Sequence, residues 1–259
     1  MNQTVIIGSG NLAEALAIAL QKAGVLRQIY ARNAARAAEI GQRVGVAWTT
    51  DPQQIVYADF YLIAVSDRAV ETVATQLSLP STAIIAHTAG SVSLEAIPAA
   101  HHPRRASFYP FQTFTRGRVV DFAEIPLFIE GSDATVQAET EALAHCISGL
   151  VYPADSARRA QIHLAGVFAN NFTNALYGVG AQIAQQAGLP FDVLRALIIE
   201  TAAKATAATH PATVQTGPAV RGDAKVEEQH LQLLAKEPTL QAIYKLISQL
   251  IWETSKRTL

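Results

Sequence analysis

Cysteine is nearly absent from this sequence: among 259 residues only Cys146 is present. A lone cysteine excludes an internal disulfide framework. It fits a reducing compartment and a place as apolar filler in the run Leu143-Ala144-His145-Cys146-Ile147. Charge is also sparse, at 16% of residues, and balanced, with Lys+Arg 20 against Asp+Glu 21. No basic field exists to grip a phosphate backbone, so nucleic acid is not an expected partner. No apolar run reaches the roughly 18 residues that a membrane-spanning helix needs, so no membrane partner is expected. The chain enters its first apolar run at Thr4 without the positive stretch and small-residue cleavage site of a secretory signal, and a cytoplasmic location is expected. No metal site is expected either.

What is present is a globular composition, 50% hydrophobic. Short β-branched runs alternate with helical patterns up to about residue 152. Strands are expected at Thr4–Ile7, Gln28–Ala31, Val46–Trp48, Phe60–Val65, Ala83–Ala86, Ala106–Tyr109, Pro126–Ile129 and Leu150–Tyr152. Helices are expected at Asn11–Ala23 and Ala34–Gln42, with one more before Leu150. Continuous apolar strands between helices imply a parallel sheet covered on both faces. Beyond Pro153 the pattern becomes helical. Asp155 or Ser156 can cap a helix that meets no breaker before Ala187, about 32 residues or roughly 48 Å. Asp192, Asp223 and Pro238-Thr239 open further helices. The expected fold is α/β: an N-terminal Rossmann domain over residues 1–153 and an all-helical domain over 154–259.

Gly8-Ser9-Gly10-Asn11-Leu12-Ala13 follows the first strand and opens the first helix. In this G-x-G-x-x-A pattern Gly8 permits the tight turn, Gly10 lets backbone approach a pyrophosphate, and Ala13 allows close helix–strand packing. The N–H groups of the helix start then face the phosphates. Gly8, Ser9, Gly10, Asn11 and Leu12 are therefore candidate dinucleotide contacts. The second strand ends Tyr30-Ala31-Arg32-Asn33, with Arg36 one turn on. An NAD binder usually places Asp or Glu there, whereas Arg pairs with a 2′-phosphate. Arg32, Asn33 and Arg36 point to NADP as the cofactor.

In open parallel sheets ligands lie beyond the carboxyl ends of strands. Three loops occupy that rim: Val65-Ser66-Asp67, His87-Thr88-Ala89-Gly90-Ser91 and Tyr109-Pro110-Phe111-Gln112-Thr113. Val65, Ser66 and Thr88 are candidate cofactor contacts, and Asp67 suits a helix cap. His87 has two open readings, facing the nicotinamide or hydrogen-bonding within its turn. Gln112 and Thr113 are candidate substrate contacts. On the long helix, rotation of about 100° per residue places His163, Asn170 and Asn174 on one polar stripe, with Asn171 about 80° from His163. Such a stripe is either a satisfied helix–helix network or a catalytic face, with His163 as the acid because an ordinary histidine titrates near neutral pH. The loop from Gln215 to Asp223 concentrates donors and glycines, and within it Thr216 and Arg221 are candidate substrate contacts.

These residues resemble a known group. Gly8-Ser9-Gly10-Asn11-Leu12-Ala13, Ala31-Arg32-Asn33 and Ala64-Val65-Ser66-Asp67 are similar to the NADP-binding domain of deazaflavin-dependent NADP reductases and pyrroline-5-carboxylate reductase. The run His163–Asn171 and the loop Gln215–Asp223 resemble a bacterial Rossmann-like family whose C-terminal domain has no assigned function. The resemblance implies a helical domain like that of 6-phosphogluconate dehydrogenase and a homodimer formed through it. Val167 stands where hydroxyacid dehydrogenases of that group carry a catalytic Lys, so lysine chemistry is not expected. Thr216–Arg221 differs from the proline-synthesis loop, so that reaction is not expected. The lead reading is an NADP-dependent oxidoreductase acting on a small carbonyl or imine compound, with a deazaflavin or flavin as the alternative hydride partner. The other reading is a non-catalytic NADP-binding or sensing dimer.

Overall fold

The computed structural model describes residues 3–258. They form two compact units, one running to Thr173 and one starting at Asn174. The residues just beyond Pro153 cluster with the first unit, because a buried ion pair described below ties their helix to the sheet.

The first unit holds an eight-stranded sheet in the order β3-β2-β1-β4-β5-β6-β7-β8. The strands are β1 (Thr4–Ile7), β2 (Leu26–Tyr30), β3 (Ala47–Thr49), β4 (Phe60–Ile63), β5 (Ile84–His87), β6 (Arg105–Pro110), β7 (Leu127–Gly131) and β8 (Val151–Pro153). Every residue of β1, β4 and β5 is buried, as expected for strands covered on both faces. Alternation then sorts them into two cores. Ile6, Ile29, Leu62 and Ala86 face one core, with Leu16 and Leu20 of helix α1 (Asn11–Lys22). Val5, Ile7, Tyr61, Ile63 and Ile85 face the other, with Ala74 of α3 (Val70–Gln76).

The sheet is not wholly parallel. β7 runs antiparallel to β6, and β8 is parallel to β7. The reason lies in the connection: residues 111–126 contain one 3-10 turn, Phe122–Glu124, and no crossover helix. A parallel return needs such a crossover; an antiparallel one does not.

Helix starts follow their caps. Asn33 caps α2 (Ala34–Val44) by accepting from the Arg36 N–H at 3.1 Å. Asp133 caps α4 (Ala134–His145), accepting from Thr135 and Val136. Asp155 caps α5 (Ser156–Gly166), accepting from the Arg158 N–H at 2.7 Å. Cys146 is exposed rather than core filler. It sits just past α4, where the thiol donates to the Ala142 carbonyl at 3.4 Å.

The expected long helix is interrupted in its hydrogen bonding. A π segment, Val167–Phe172, separates α5 from α6 (Thr173–Gln186). The Thr173 hydroxyl donates to the carbonyl of Phe168 at 3.0 Å, five residues back, as π spacing allows. A π turn takes in one more residue than an α turn, so the 100° rule fails across it. The stripe of His163, Asn170 and Asn174 therefore does not hold as drawn.

One contact fixes α5 on the sheet. Arg159 is fully buried and pairs with Glu130 of β7, and it also donates to the Val92 carbonyl at 2.6 Å. Ser156 joins this network, donating to Glu130 at 2.8 Å and accepting from the Leu94 N–H at 3.1 Å.

The second unit contains α7 (Arg195–Ala207), the short α8 (Pro218–Arg221), α9 (Ala224–Leu233) and α10 (Pro238–Thr258) after α6. Asp192 does not cap α7; it lies in a 3-10 turn before it and pairs with Arg195. No helix among the described residues is long and apolar enough to cross a membrane.

Because Arg159 has no access to solvent, removing it leaves a carboxylate facing an unfilled space. Arg159→Ala should lower stability by about 3 kcal/mol in urea unfolding, and Arg159→Met with Glu130→Leu should recover most of that loss. A single variant within about 0.5 kcal/mol of the parent would show that the pair is not an anchor.

Candidate active site

The rim at the carboxyl ends of the parallel strands carries two concavities. The first is a cleft of about 490 Å³ lined by Gly8, Ser9, Arg32, Asn33, Val65 and Arg68, among others. It opens where β1 is flanked by β2 on one side and β4 on the other, the point at which the strand order reverses.

The glycine bend is shaped for this cleft. Gly8 has φ 136°, which side-chain-bearing residues rarely adopt, and a Cβ there would lie 2.1 Å from the Ala64 carbonyl oxygen. Gly10 meets nothing within 4 Å and leads into α1, whose first turn has no side-chain cap. The result is an open helix start with unused N–H donors beside a backbone that nothing shields. That is the fit a pyrophosphate requires. Ala13 is buried, as close packing demands. The Asn11 side-chain amide donates to the Phe114 carbonyl at 3.1 Å, and Leu12 packs on the core.

Three expected cofactor contacts prove to have other roles. Arg36 is drawn inward by the buried Glu14 of α1, at 2.7 Å, and by Glu39, also at 2.7 Å. Its guanidinium is raised above its usual range by the hydrogen bond to Glu14 first and Glu39 second. Burial would raise the Glu14 carboxyl, but Arg36 and Arg43 outweigh it and hold it below its usual range. Arg36 also donates to the Ser9 carbonyl at 3.4 Å, so it supports the bend from behind and is not available to a 2′-phosphate. Thr88 is buried, and its hydroxyl donates to the Ile63 carbonyl at 3.2 Å. Ser66 starts the next 3-10 turn and does not line the cleft, while Asp67 accepts from the Ser91 hydroxyl. Arg32 and Arg68 remain, both exposed and in no ion pair among the described residues. Sequence reading missed Arg68, which looks like an ordinary surface charge until the turn after β4 carries it to the cleft.

The second concavity, about 210 Å³, is lined by Tyr109, Gln112, Thr113, His163, Asn170 and Asn171, together with Phe111 and Val167. Here the structure gathers four sequence candidates, His163, Asn170, Gln112 and Thr113, around two residues that were not among them, Tyr109 and Asn171. The Tyr109 hydroxyl and His163 Nδ1 are 3.1 Å apart. They meet directly above Gly90, where a Cβ would fall 2.5 Å from the tyrosine ring and 2.7 Å from His163 Nδ1. The signal for Tyr109 was its place at the end of a rim strand. Gly90 shows no positive φ, so only the packing explains it.

His87 does not face a ligand. It is fully buried, and its Nδ1 accepts from the Ala89 N–H at 3.3 Å, the within-turn reading. Burial first and the Arg159 charge second depress its pKa to about 3, so the ring is neutral at neutral pH. Asn174, Thr216 and Arg221 belong to the second unit. Thr216 borders an apolar pocket there with Leu176, Ile183 and Ile247, and Arg221 is exposed at the end of α8. No cluster of His, Cys, Asp and Glu among the described residues could hold a metal ion.

Residues 3–90 match the family described as NADP oxidoreductase coenzyme F420-dependent, and residues 125–251 match a domain of unknown function. A candidate NADP oxidoreductase from Bacteroides fragilis is 41% identical over 97% of this chain and 98% of its own, with a TM-score of 0.89. A protein from Thermotoga maritima is 25% identical over 98% of this chain and 99% of its own, with a TM-score of 0.82. An imine reductase from Myxococcus stipitatus, solved with NADP+, is 15% identical over 98% of this chain and 94% of its own, with a TM-score of 0.69, which shows the shared fold. No curated protein matches the sequence.

Two outcomes test this geometry. Gly8→Ala should abolish dinucleotide binding, since both φ and the Ala64 carbonyl oppose a methyl; unchanged affinity would show that the bend is not the cradle. His87 binds a proton in the unfolded chain near its ordinary 6.5 and in the folded protein only near 3. Acidification between those values should therefore remove stability at up to about 1.4 kcal/mol per pH unit from this residue. His87→Gln should flatten the slope, and an identical slope would contradict the burial of a neutral ring.

Proposed function

We propose that this chain, which belongs to the same family as the candidate NADP oxidoreductase from Bacteroides fragilis, moves hydride between NADP(H) and a small carbonyl or imine compound. The observation that carries the reading is the open, glycine-built helix start at the sheet's switch point, with the His163 pocket on the same rim. From β1 to β6 is three strand spacings, roughly 14 Å, so an extended dinucleotide seated at the bend can reach toward the pocket.

Bound there, the reduced cofactor would supply the hydride. The chain's own groups do the rest. The amides of Ser9 to Leu12 hold the pyrophosphate, and Arg32 pairs with the 2′-phosphate. Asn170, Gln112 and Thr113 orient the substrate's polar atom. His163 supplies the proton, since no lysine lines the pocket and Val167 stands one turn beyond it. Asn174, Thr216 and Arg221, in the second unit, remain candidate substrate contacts. Leu176, Ile183, Leu197, Ile199, Leu246 and Leu250 are all exposed in that unit. So many exposed apolar side chains support assembly as a homodimer through the helical domain.

A panel of aldehydes, ketones and imines assayed for NADPH oxidation tests the reading. Turnover with at least one member is expected; tight NADPH binding without turnover across the panel would favour a sensor. Arg32→Asp should weaken NADPH binding about 10- to 100-fold and leave NADH binding within about 3-fold. Equal losses would show that Arg32 does not read the 2′-phosphate.

A further inference from the structure

We infer that Tyr109 is a positioning residue for His163, fixing the imidazole in one orientation through both of its protonation states. This rests on the oxidoreductase reading for its purpose and on geometry alone for its substance. The Tyr109 hydroxyl lies 3.1 Å from His163 Nδ1, with ring centroids 6.1 Å apart. Both elements are held. Tyr109 sits on β6 between the rings of Phe111 and Phe128, at 6.2 and 6.4 Å. His163 stands one helical turn beyond the anchored Arg159. Gly90 leaves the space in which the two side chains meet.

A hydroxyl suits this task for a chemical reason. Its proton donates to Nδ1 when the ring is neutral, and its lone pair accepts from Nδ1–H when the ring is an imidazolium. A carboxylate could only accept and an ammonium could only donate. Burial first, and the Asp67 charge second, push the Tyr109 hydroxyl up to about 12 against a lowering by Arg159, so it keeps its proton at neutral pH. Asp67 and Arg159 are the charged groups that bear on the Tyr109 hydroxyl. With that hydroxyl donating to Nδ1, the neutral ring carries its proton on Nε2, which makes no hydrogen bond among the described residues.

As hydride reaches the carbonyl carbon, the C=O π pair moves onto oxygen. That oxygen takes the Nε2 proton of the imidazolium, and the ring becomes neutral. The nicotinamide cofactor is the reductant. The ring is then neutral with its remaining proton on Nδ1, still donated to Tyr109; Nε2 takes a proton from solvent to restore the imidazolium, and loss of the Nδ1 proton to solvent, with the hydroxyl turning to donate, gives back the resting ring protonated on Nε2.

Nitrogen-15 NMR of the full-length protein, with His163 assigned by comparison with His163→Gln, reads the tautomer directly. In the parent protein the neutral ring should be almost wholly Nε2–H. A neutral ring with its proton on Nδ1, or an even mixture, would overturn the inference without any variant. Tyr109→Phe should convert the single tautomer into a mixture. With butanone as probe and NADPH as reductant, that variant should lower kcat about 10-fold while KM and NADPH affinity stay within 2-fold. Parallel losses in NADPH affinity would mark Tyr109 as merely structural. If the parent protein oxidises NADPH with no probe, the oxidoreductase reading fails, and the tautomer measurement still decides the pair.

Discussion

A guanidinium shut away from water sets the geometry of the candidate site. Arg159 faces Glu130 of β7, the Val92 carbonyl and the Ser156 hydroxyl, and nothing else in α5 is buried. A buried ion pair adds little to stability, because desolvation offsets most of its attraction, but it tolerates few alternative arrangements. Here it fixes both the height and the rotation of α5 on the sheet. One turn later His163 falls over Gly90 and against Tyr109. The same charge acts on His87 beneath, helping to keep that buried ring neutral. One contact thus orders a helix, aims a histidine and silences another.

Two glycines complete the rim, for different reasons. Gly8 answers to backbone: its φ and the Ala64 carbonyl both exclude a side chain. Gly90 answers to neighbours: its φ is ordinary, and only the meeting of Tyr109 and His163 requires the space. The first leaves an unshielded helix start for phosphate oxygens, and the second lets two side chains from distant elements touch. Behind the bend, Glu14, Arg36 and Arg43 form a partly buried ion network that holds α1 and α2 together and braces Ser9.

Local chemistry was legible in the sequence. The apolar runs of β1 and β4 announced covered strands, Asp155 and Asp223 cap helices as expected, and the glycine bend lies where its spacing placed it. What escaped was nonlocal. The direction of β7 depends on whether residues 111–126 hold a crossover helix. The π segment at Val167–Phe172 carries no compositional mark, so the helical wheel joined His163 to Asn170 and missed Asn171. Arg36 resembled a phosphate contact because its partner, Glu14, lies 22 residues away on another helix. His87 and Thr88 belong to a rim loop by sequence, yet their side chains turn inward. Arg159 was indistinguishable from the exposed Arg158 beside it. Rules of spacing find the backbone of a site; which side chains face into it is settled by packing.

Isothermal titration of the purified chain with NADP+ asks whether the bend at Gly8–Leu12 seats a dinucleotide. Saturable binding with one site per chain is expected, and no binding when Gly8 carries a methyl. Absence of heat with both NADP+ and NAD+, for protein shown to be folded, would contradict it.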